Sequence, residues 1–269
     1  MAELAARVAV VTGAARGIGA ATVLALAGQG WAVLAVDLAA DHPALPYPMG
    51  SKAELSTVVA EANRLAGRDR VRACVADVRD RDAVRAAVAD AERWWGGLDA
   101  AIAAAGVVAG GVPLWELPAE QERAVFDVDL GGVVNLAHAA VPALLRRPRP
   151  RSGRFLAVAS AAATRGLPML AAYCAAKAGV TGLIRALGAE LGGTGVTANT
   201  VSPGSTDTPM LAESARLYAL PAAESFAAQQ PMGRLLDPAE VAAVLAFLAG
   251  PASSAMTGAV VPVDGGLAL

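Results

Sequence analysis

The chain has 269 residues, of which 55% are hydrophobic, and this length suits one large α/β domain. Its formal net charge is −2, and no basic run alternates with aromatic side chains, so nucleic-acid binding is not expected. Two cysteines cannot form a disulfide framework, and no secretory signal or uninterrupted membrane-spanning stretch is found. We therefore expect a single domain over residues 1–269 that is soluble, cytoplasmic and not inserted in a membrane.

Seven short apolar runs are predicted as β-strands, at 7–12, 31–37, 71–78, 98–106, 153–160, 195–204 and 259–266. Helix-length segments alternate with them, at 80–95, 119–145, 171–191 and 237–249, and a further one ends near 28–30. Near-continuous apolar strands that alternate with helices favour a parallel sheet covered on both faces. We predict an α/β fold, one doubly wound Rossmann domain, with ligands at the carboxyl ends of the strands.

Two irregular segments interrupt this alternation. The first, 41–51, is rich in proline, and the second, 205–234, follows the sixth strand. Long irregular insertions often act as lids or binding loops. We expect 208–231 to form a substrate lid. Its apolar side chains favour an apolar substrate, and they are Met210, Leu211, Leu217, Tyr218 and Phe226.

A glycine-rich turn follows the first strand, where Gly13, Gly17 and Gly19 fall in the stretch VVTGAARGIGAA. Glycines permit a tight turn and let backbone amides approach a pyrophosphate at a helix N-terminus. The spacing differs from the common G-x-G-x-x-G fingerprint, so a glycine-rich turn without a ligand is the alternative. The position of the turn after the first strand favours a dinucleotide site.

Asp37 ends the second predicted strand. A carboxylate at this place can accept hydrogen bonds from the adenosine ribose hydroxyls, and it repels a 2′-phosphate. Asp37 therefore favours NAD over NADP, although Arg16 in the glycine turn would attract that phosphate weakly. The alternative is that Asp37 only caps the end of a strand.

Tyr173 and Lys177 are four residues apart in AAYCAAKAG, so on a helix they share one face. An ammonium beside the phenol would lower the pKa of Tyr173, which suits proton exchange with an alcohol or ketone. Lys177 can also hydrogen-bond the ribose next to nicotinamide. Ser160, at the carboxyl end of the fifth strand, could bind the substrate oxygen. A surface Tyr–Lys pair on an ordinary helix is the alternative.

Together these motifs resemble the short-chain dehydrogenase/reductase family over nearly the whole chain. The matching pieces are TGAARGIG at 12–19, DV at 77–78, Ser160, YCAAK at 173–177, PG at 203–204 and DGG at 264–266. The resemblance implies that Ser160 orients the substrate oxygen, that Tyr173 is the general acid/base and that Lys177 is its partner. It also implies the following cofactor-binding residues: Gly13, Arg16, Gly17, Ile18, Gly19, Asp37, Asp77, Val78, Ala105, Gly106, Tyr173, Lys177, Pro203, Gly204 and Thr208. Among these, Asp77 would contact adenine, and the last three would line the nicotinamide end.

Two positions depart from the pattern of that family. AAAG at 103–106 replaces the usual NNAG, which removes asparagine amides that brace the central strands. Aligning DVDLGGVVN by its glycines puts Asp129 where the family has an asparagine that helps hold a proton-relay water. We expect Asp129 to be a catalytic residue that holds this water, draws on the charge of Lys177 and shifts the pH optimum upward. The alternative is a different register in which Asp129 faces solvent.

The stretch 37–55 is longer than the usual join between the second strand and the next helix. It resembles the insertion of the mycofactocin-associated branch of the family, whose members are thought to keep nicotinamide bound and recycle it through a separate redox partner. Pro43, Pro46 and Pro48 would stiffen such a flap and slow cofactor release. A surface loop without a cofactor role is the alternative.

We predict an NAD-dependent enzyme that transfers a hydride between NAD(H) and a small to medium, apolar alcohol or ketone. Two alternatives stay open. A 3-oxoacyl-thioester reductase is disfavoured by Asp37, and a non-catalytic nicotinamide-binding protein is disfavoured by the intact serine, tyrosine and lysine. The resemblance further implies a homotetramer formed through the helices at 119–145 and 171–191 and the last strand. No metal is expected, because the two histidines lack a third ligand.

Overall fold

A computed structural model describes residues 6–269, so predictions about residues 1–5, the start of the expected domain among them, lie outside the described residues. The strands are β1 Val8–Thr12, β2 Ala32–Asp37, β3 Val71–Val75, β4 Ala100–Ala103, β5 Arg154–Val158, β6 Thr197–Pro203 and β7 Val260–Val263. They form a parallel sheet in the order β3-β2-β1-β4-β5-β6-β7. The predicted doubly wound α/β fold is confirmed.

Helices cover both faces of the sheet. They are α1 Gly17–Gly28, α2 Lys52–Ala66, α3 Arg81–Trp95, α4 Ala119–Phe126, α5 Gly132–Arg146, α6 Ala171–Glu190, α7 Pro209–Leu217 and α8 Pro238–Ala249. One face carries α1, α2 and α8, and the other carries α3, α5 and α6. Each face has its own apolar core. The core under α1, α2 and α8 contains Ile102 and Leu245, and the core under α3, α5 and α6 contains Leu34 and Phe155. Burial on both faces explains why the central strands β1, β2 and β4 are almost wholly apolar.

Several strands end earlier than predicted. Residues 76–78, 104–106 and 159–160 were predicted to continue β3, β4 and β5, but they lie in loops beyond the sheet. Their apolar character reflects burial around the ends of the strands, and it does not require the backbone to pair with a neighbour. These loops carry most of the site described below.

The predicted helix at 119–145 is interrupted. A π-helical turn, Asp127–Gly131, separates α4 from α5. Single π turns inside longer helices occur frequently at functional sites. By length and composition alone the segment Ala119–Arg146 could cross a membrane, but half of its apolar window is buried in the protein. Leu136 and Leu144 of α5 belong to the core, which accounts for this apolar composition.

The two irregular segments differ in content. Residues 38–51, called the strap below, contain no helix or strand, yet His42 and Leu45 in it are buried. Residues 208–231, called the lid below, contain α7 and a 3₁₀ turn, Ala223–Gln229. Both segments lie at the carboxyl ends of the strands and line the same cleft.

Candidate active site

A cleft of about 590 Å³ opens at the carboxyl ends of the strands. It lies where the strand order reverses between β1 and β4, the usual ligand position in doubly wound sheets. The predicted cofactor and catalytic residues that line it are Gly13, Arg16, Gly17, Ile18, Gly19, Asp37, Asp77, Val78, Ala105, Gly106, Ser160, Tyr173, Lys177, Pro203, Gly204 and Thr208. Asp129 is the predicted site residue that does not reach the cleft surface.

The turn between β1 and α1 requires its glycines. Gly13 and Gly17 have φ angles of 68° and 56°, in the left-handed region. A Cβ added to Gly19 would lie 2.0 Å from the carbonyl oxygen of Gly13, and one added to Gly13 would lie 2.6 Å from the backbone of Ala105. No side chain caps the N-terminus of α1. This arrangement fits a pyrophosphate bound to the first turn of the helix.

Asp37 is held in place by backbone groups. Its Oδ2 accepts a hydrogen bond from Ala15 N–H, and its Oδ1 accepts one from Ala39 N–H, both at 2.9 Å. Gly50 of the strap also lies against this side chain, since an added Cβ there would be 3.2 Å from Oδ1. Each carboxylate oxygen keeps a lone pair for a ribose hydroxyl. Asp37 thus joins β2, the glycine turn and the strap.

The strap is fastened beside Asp77. Arg79 donates bidentate hydrogen bonds to the Asp77 carboxylate, the shorter at 2.6 Å, and its Nη1 lies 2.6 Å from His42 Nε2. Burial and then the charge of Arg79 lower the pKa of His42. The sequence gives His42 no role other than that of a possible metal ligand. Residues 6–269 contain no cluster of three potential metal ligands. Its contact with Arg79 bridges thirty-seven positions, and no local motif signals it.

The loop after β4, residues 104–108, lacks the asparagines usual in the resembled family, but its amides are satisfied by other side chains. Thr12 Oγ1 accepts from Ala104 and Ala105 at 3.2 and 3.4 Å, Asp129 Oδ1 from Val107 at 2.8 Å, and Tyr47 Oη from Val108 at 2.8 Å. Three separate segments thus brace this loop. Sequence reasoning missed Thr12 and Tyr47 as supports.

Ser160 and Tyr173 meet at the head of the cleft. Ser160 follows β5 and caps a 3₁₀ turn through Ala162 N–H, while Tyr173 lies in the first turn of α6. The side chain of Ser160 lies beside the Tyr173 phenol. Burial, followed by the charge of Asp129, raises the pKa of Tyr173 above its ordinary value, and Ser160 opposes the rise.

Lys177 is buried, with 4% of its surface exposed, so the alternative of a surface Tyr–Lys pair is wrong. Its Nζ donates to Val158 O at 3.2 Å, and it lies 4.0 Å from Asp129 Oδ1 and 5.6 Å from the Tyr173 ring centroid. The expected lowering of the Tyr173 pKa by Lys177 is not seen. Burial of the phenol and the charge of Asp129 raise its pKa, and the ammonium lies beside the Val158 carbonyl oxygen and the Asp129 carboxylate.

Asp129 is fully buried in the π turn, so the solvent-facing alternative is wrong. Burial raises the pKa of Asp129 to about 6, against the opposing effects of Lys177 and the Val107 N–H group. Its Oδ2 has no hydrogen-bond partner among the described residues. Gly106 separates Asp129 from the cleft, since a Cβ there would lie 3.0 Å from Asp129 Oδ1 and 3.4 Å from Lys177 Nζ.

The nicotinamide end is built from close backbone approaches. A Cβ on Gly204 would lie 2.2 Å from Gln230 Oε1, and that oxygen accepts a hydrogen bond from Ser205 N–H. Thr208 caps α7 through Leu211 N–H. The methyl group of Thr208 also faces the glycine turn, so the start of the lid lies against the segment expected to hold the pyrophosphate.

The lid forms the apolar side of the cleft. The apolar and aromatic side chains lining this part are Leu167, Leu170, Met210, Leu211, Tyr218, Leu220 and Phe226. Leu217 was expected among them, but it lies against Gly111 outside the cleft, because successive residues of α7 point in different directions. Tyr218 Oη donates to Pro168 O at 2.6 Å, and its ring meets Phe226 edge to face at 6.1 Å.

Comparison with known proteins agrees with this geometry. A family model described as enoyl-(acyl carrier protein) reductase matches residues 13–268. Cis-4-hydroxycyclohexanecarboxylate dehydrogenase of Sinomonas cyclohexanicum is 40% identical over 97% of this chain and 96% of its own length. The 3-oxoacyl-[acyl-carrier-protein] reductase FabG of Thermotoga maritima is 36% identical over 99% of this chain and 100% of its own.

The fold comparison gives the same result. The crystal structure of carveol dehydrogenase from Mycobacterium avium in complex with NAD superposes with a TM-score of 0.91, at 29% identity, over 98% of both chains. The glycine turn, the position of Asp37 and these similarities over the full length agree with one another. The chain belongs to the short-chain dehydrogenase/reductase family and is an NAD-dependent oxidoreductase.

Proposed function

We propose that this enzyme interconverts a ring-borne secondary alcohol and the corresponding ketone, with Ser160, Tyr173 and Lys177 as its catalytic residues. The neighbouring Ser160 and Tyr173 hydroxyls, at the head of a pocket with apolar walls, carry this proposal. The relative from Sinomonas cyclohexanicum is named for a hydroxycyclohexane substrate, and the fold neighbour is a carveol dehydrogenase. A ring of that size would have to share the cleft of about 590 Å³ with the dinucleotide.

The cleft fits NAD because of its own residues. Gly13, Gly17 and the uncapped N-terminus of α1 would hold the pyrophosphate. The Asp37 carboxylate would hold the adenosine ribose, and Asp77 would contact adenine. NAD, when bound, accepts the hydride from the alcohol carbon.

The side chains supply the proton chemistry. Ser160 would hydrogen-bond the substrate oxygen. Tyr173, as the phenolate, would take the proton of the substrate hydroxyl while the hydride leaves the carbon that bears this hydroxyl. In the reverse direction the phenol returns that proton to the ketone oxygen. Since the pKa of Tyr173 is raised, alcohol oxidation should accelerate as pH increases. Asp129 and Lys177 would pass the proton onward through a water held at the unpartnered Oδ2.

The variant Tyr173→Phe tests these roles on a panel of cyclohexanols with added NAD. We expect turnover to fall by at least about a thousandfold, with NAD binding unchanged, because the proton acceptor is removed. Tyr218→Phe is the matched control, since it removes a hydroxyl from the same cleft away from Ser160. Wild-type turnover that survives in Tyr173→Phe, or a wild-type protein that binds NAD but oxidises nothing, would contradict the proposal.

A 3-oxoacyl-thioester reductase is the second candidate, favoured by the 36% identity to FabG of Thermotoga maritima. The same catalytic residues would protonate the 3-oxo oxygen. Asp37 would disfavour NADPH, so this activity should use NADH if it exists. Reduction of an acetoacetyl thioester at a rate above that of cyclohexanone would favour this candidate.

We also propose that the strap slows NAD release, in the manner suggested for the mycofactocin-associated branch, and that a separate redox partner then reoxidises the bound cofactor. Buried Leu45, the His42–Arg79 contact and the Tyr47–Val108 hydrogen bond support this role. Mass spectrometry and absorbance at the reduced-nicotinamide band on freshly purified protein should detect bound cofactor. His42→Ala should release it several-fold faster. An empty protein that turns over free NADH readily would exclude the idea.

We further propose that the protein is a cytoplasmic homotetramer and that each subunit is a single domain over residues 1–269. The outer face of α6 supports close helix contact between copies, because it exposes small side chains at Ala171, Ala175 and Ala178. Light scattering of the purified protein gives the mass of the assembly directly. A monomeric mass at micromolar concentration would contradict the tetramer.

A further inference from the structure

Arg165 lines the substrate side of the cleft, five residues after Ser160. Its backbone N–H donates to Ala161 O at 2.9 Å, which fixes the turn that follows β5. Its Nη1 donates to Leu267 O at 2.7 Å, which holds the guanidinium against the rim of the cleft. That bond occupies one of the five N–H groups of the side chain.

The other charged side chains of the cleft lie elsewhere and have partners or a cofactor role. Arg16, Asp37, His42, Asp77 and Arg79 surround the glycine turn and the strap, and Lys177 faces Asp129. The ion pairs within 4.0 Å among residues 6–269 do not include Arg165. Within the described part of the chain, it is the charged residue that the apolar side of the cleft presents to a substrate.

We propose that Arg165 recognises an anionic group, a carboxylate, on the part of the substrate remote from the reacting hydroxyl. The inference rests on the proposed alcohol oxidation at Ser160 and Tyr173. A guanidinium donates two parallel hydrogen bonds to a carboxylate, and the anchored side chain loses little freedom on binding. The apolar lid residues would cover the ring between the two ends. The substrate class is thus a hydroxy acid with an apolar ring.

A purely structural role for Arg165 would be to tie its turn to Leu267. That role predicts equal effects on charged and neutral ligands when the side chain is removed. Recognition of a carboxylate predicts a loss confined to the anion. An acyl thioester carried on a phosphopantetheine arm would instead bring a phosphate, which an inorganic phosphate competition would reveal.

Binding can be measured apart from turnover. The probes are cyclohexanecarboxylate and cyclohexanecarboxamide, which lack the reacting hydroxyl, titrated calorimetrically into enzyme with saturating NAD. We expect the wild type to favour the carboxylate by about tenfold, a modest factor because Arg165 is exposed at the rim. Arg165→Ala should abolish this preference and leave amide binding unchanged, and Arg165→Lys should restore part of it. Arg85→Ala, which removes an exposed arginine of α3 outside the cleft, should have no effect.

The outcomes separate this inference from the proposed function. Equal binding of both probes by the wild type, or a preference that survives in Arg165→Ala, overturns the carboxylate site. Parallel losses for both probes would assign Arg165 the structural role and also overturn it. Competition by phosphate at millimolar concentration, without selectivity for the carboxylate, would transfer the site to a phosphorylated ligand. Turnover of neutral cyclohexanols tests alcohol oxidation independently of all these results.

Discussion

The cofactor side and the lid side of the cleft reach unusual backbone conformations by different means. On the cofactor side, the left-handed residues of the turn are Gly13 and Gly17, where no Cβ has to be accommodated, and the exception nearby is Ala39 of the strap, with a φ angle of 51°. On the lid side, Met169 and Ala219 are left-handed as well, with φ angles of 61° and 52°. Such residues cost on the order of 1 kcal/mol each relative to an ordinary conformation.

The difference lies in what compensates for that cost. The glycine turn needs no compensation, and its close approaches exclude any side chain. Met169 and Ala219 flank the hydrogen bond from Tyr218 to Pro168, which joins the lid to the turn before α6. The cofactor side is therefore specified by residue identity at a few positions. On the lid side, Gly110 and Gly111 also make close approaches, but Met169 and Ala219 depend on neighbouring contacts for their conformation.

The strongest test of this contrast is Gly13→Ala. The new Cβ would lie 2.6 Å from Ala105 at a φ angle of 68°, so the turn must shift away from the pyrophosphate position. We expect NAD affinity, measured by calorimetry, to fall by at least about a hundredfold. Gly28→Ala at the other end of α1 is the control, because nothing lies within 4 Å of its added Cβ. Similar affinities for the two variants would contradict a turn specified by its glycines.

Asp129→Asn should have an intermediate effect that depends on pH. Above pH 6 the wild-type carboxylate is charged and raises the pKa of Tyr173, so the neutral amide should move the rise of the oxidation rate about one unit toward acid. The two pH–rate profiles should converge below pH 6. The Asn carbonyl can still accept the Val107 N–H group, so the loop after β4 is kept. Superimposable profiles over the whole range would exclude the effect of Asp129 on the phenol.

The same substitution should also change how the stability of the protein depends on pH. Burial raises the pKa of Asp129 in the folded protein to about 6, above its value of roughly 4 in an unfolded chain. The stabilising contribution of its protonated form is present below pH 4 and is lost as pH increases through 6. The melting temperature of Asp129→Asn should therefore be a few degrees higher than that of the wild type at pH 8, with a smaller difference at pH 4.5. A constant difference between the two proteins would show that Asp129 does not titrate in this range.

The smallest effect is expected for Tyr218→Phe. The variant loses the hydrogen bond to Pro168 but keeps the ring against Phe226. We expect a two- to fivefold increase in KM for the alcohol, an unchanged kcat and unchanged NAD affinity, because an exposed hydrogen bond contributes only about 1 kcal/mol. A change in NAD affinity as large as that of Gly13→Ala would remove the proposed independence of the two sides.

The sequence predicted the parts of the site that local rules determine. Gly13 and Ser160 follow strands whose carboxyl ends converge in any doubly wound sheet, and Tyr173 and Lys177 share a helical face by their spacing. The position of Asp129 followed from the resemblance to a family. Its complete burial could not be predicted, because the apolar stretch at 119–145 gives no sign of the π turn that interrupts it.

The remaining contacts join residues that are distant in the chain. Tyr47 meets Val108 across sixty-one positions, and Arg165 meets Leu267 across one hundred and two. No periodicity or short motif reports such pairs, since they depend on how the loops pack once the sheet exists. The contacts of the Lys177 ammonium belong to the same class, because they are made with Val158 of β5 and Asp129 of the π turn.

The support of the loop after β4 has a consequence for modularity. The strap looks like an appended insertion that could be trimmed or transplanted between related enzymes. Tyr47 of the strap, however, accepts a hydrogen bond from Val108 N–H. It therefore supports the loop after β4, whose residues 104–106 line the cleft. A shortened strap would leave that amide without its acceptor, and restoring asparagine at 104 would add an amide next to the backbone N–H group that Thr12 already accepts. Chimeras of this protein should therefore exchange the strap, the loop and the π turn as one unit.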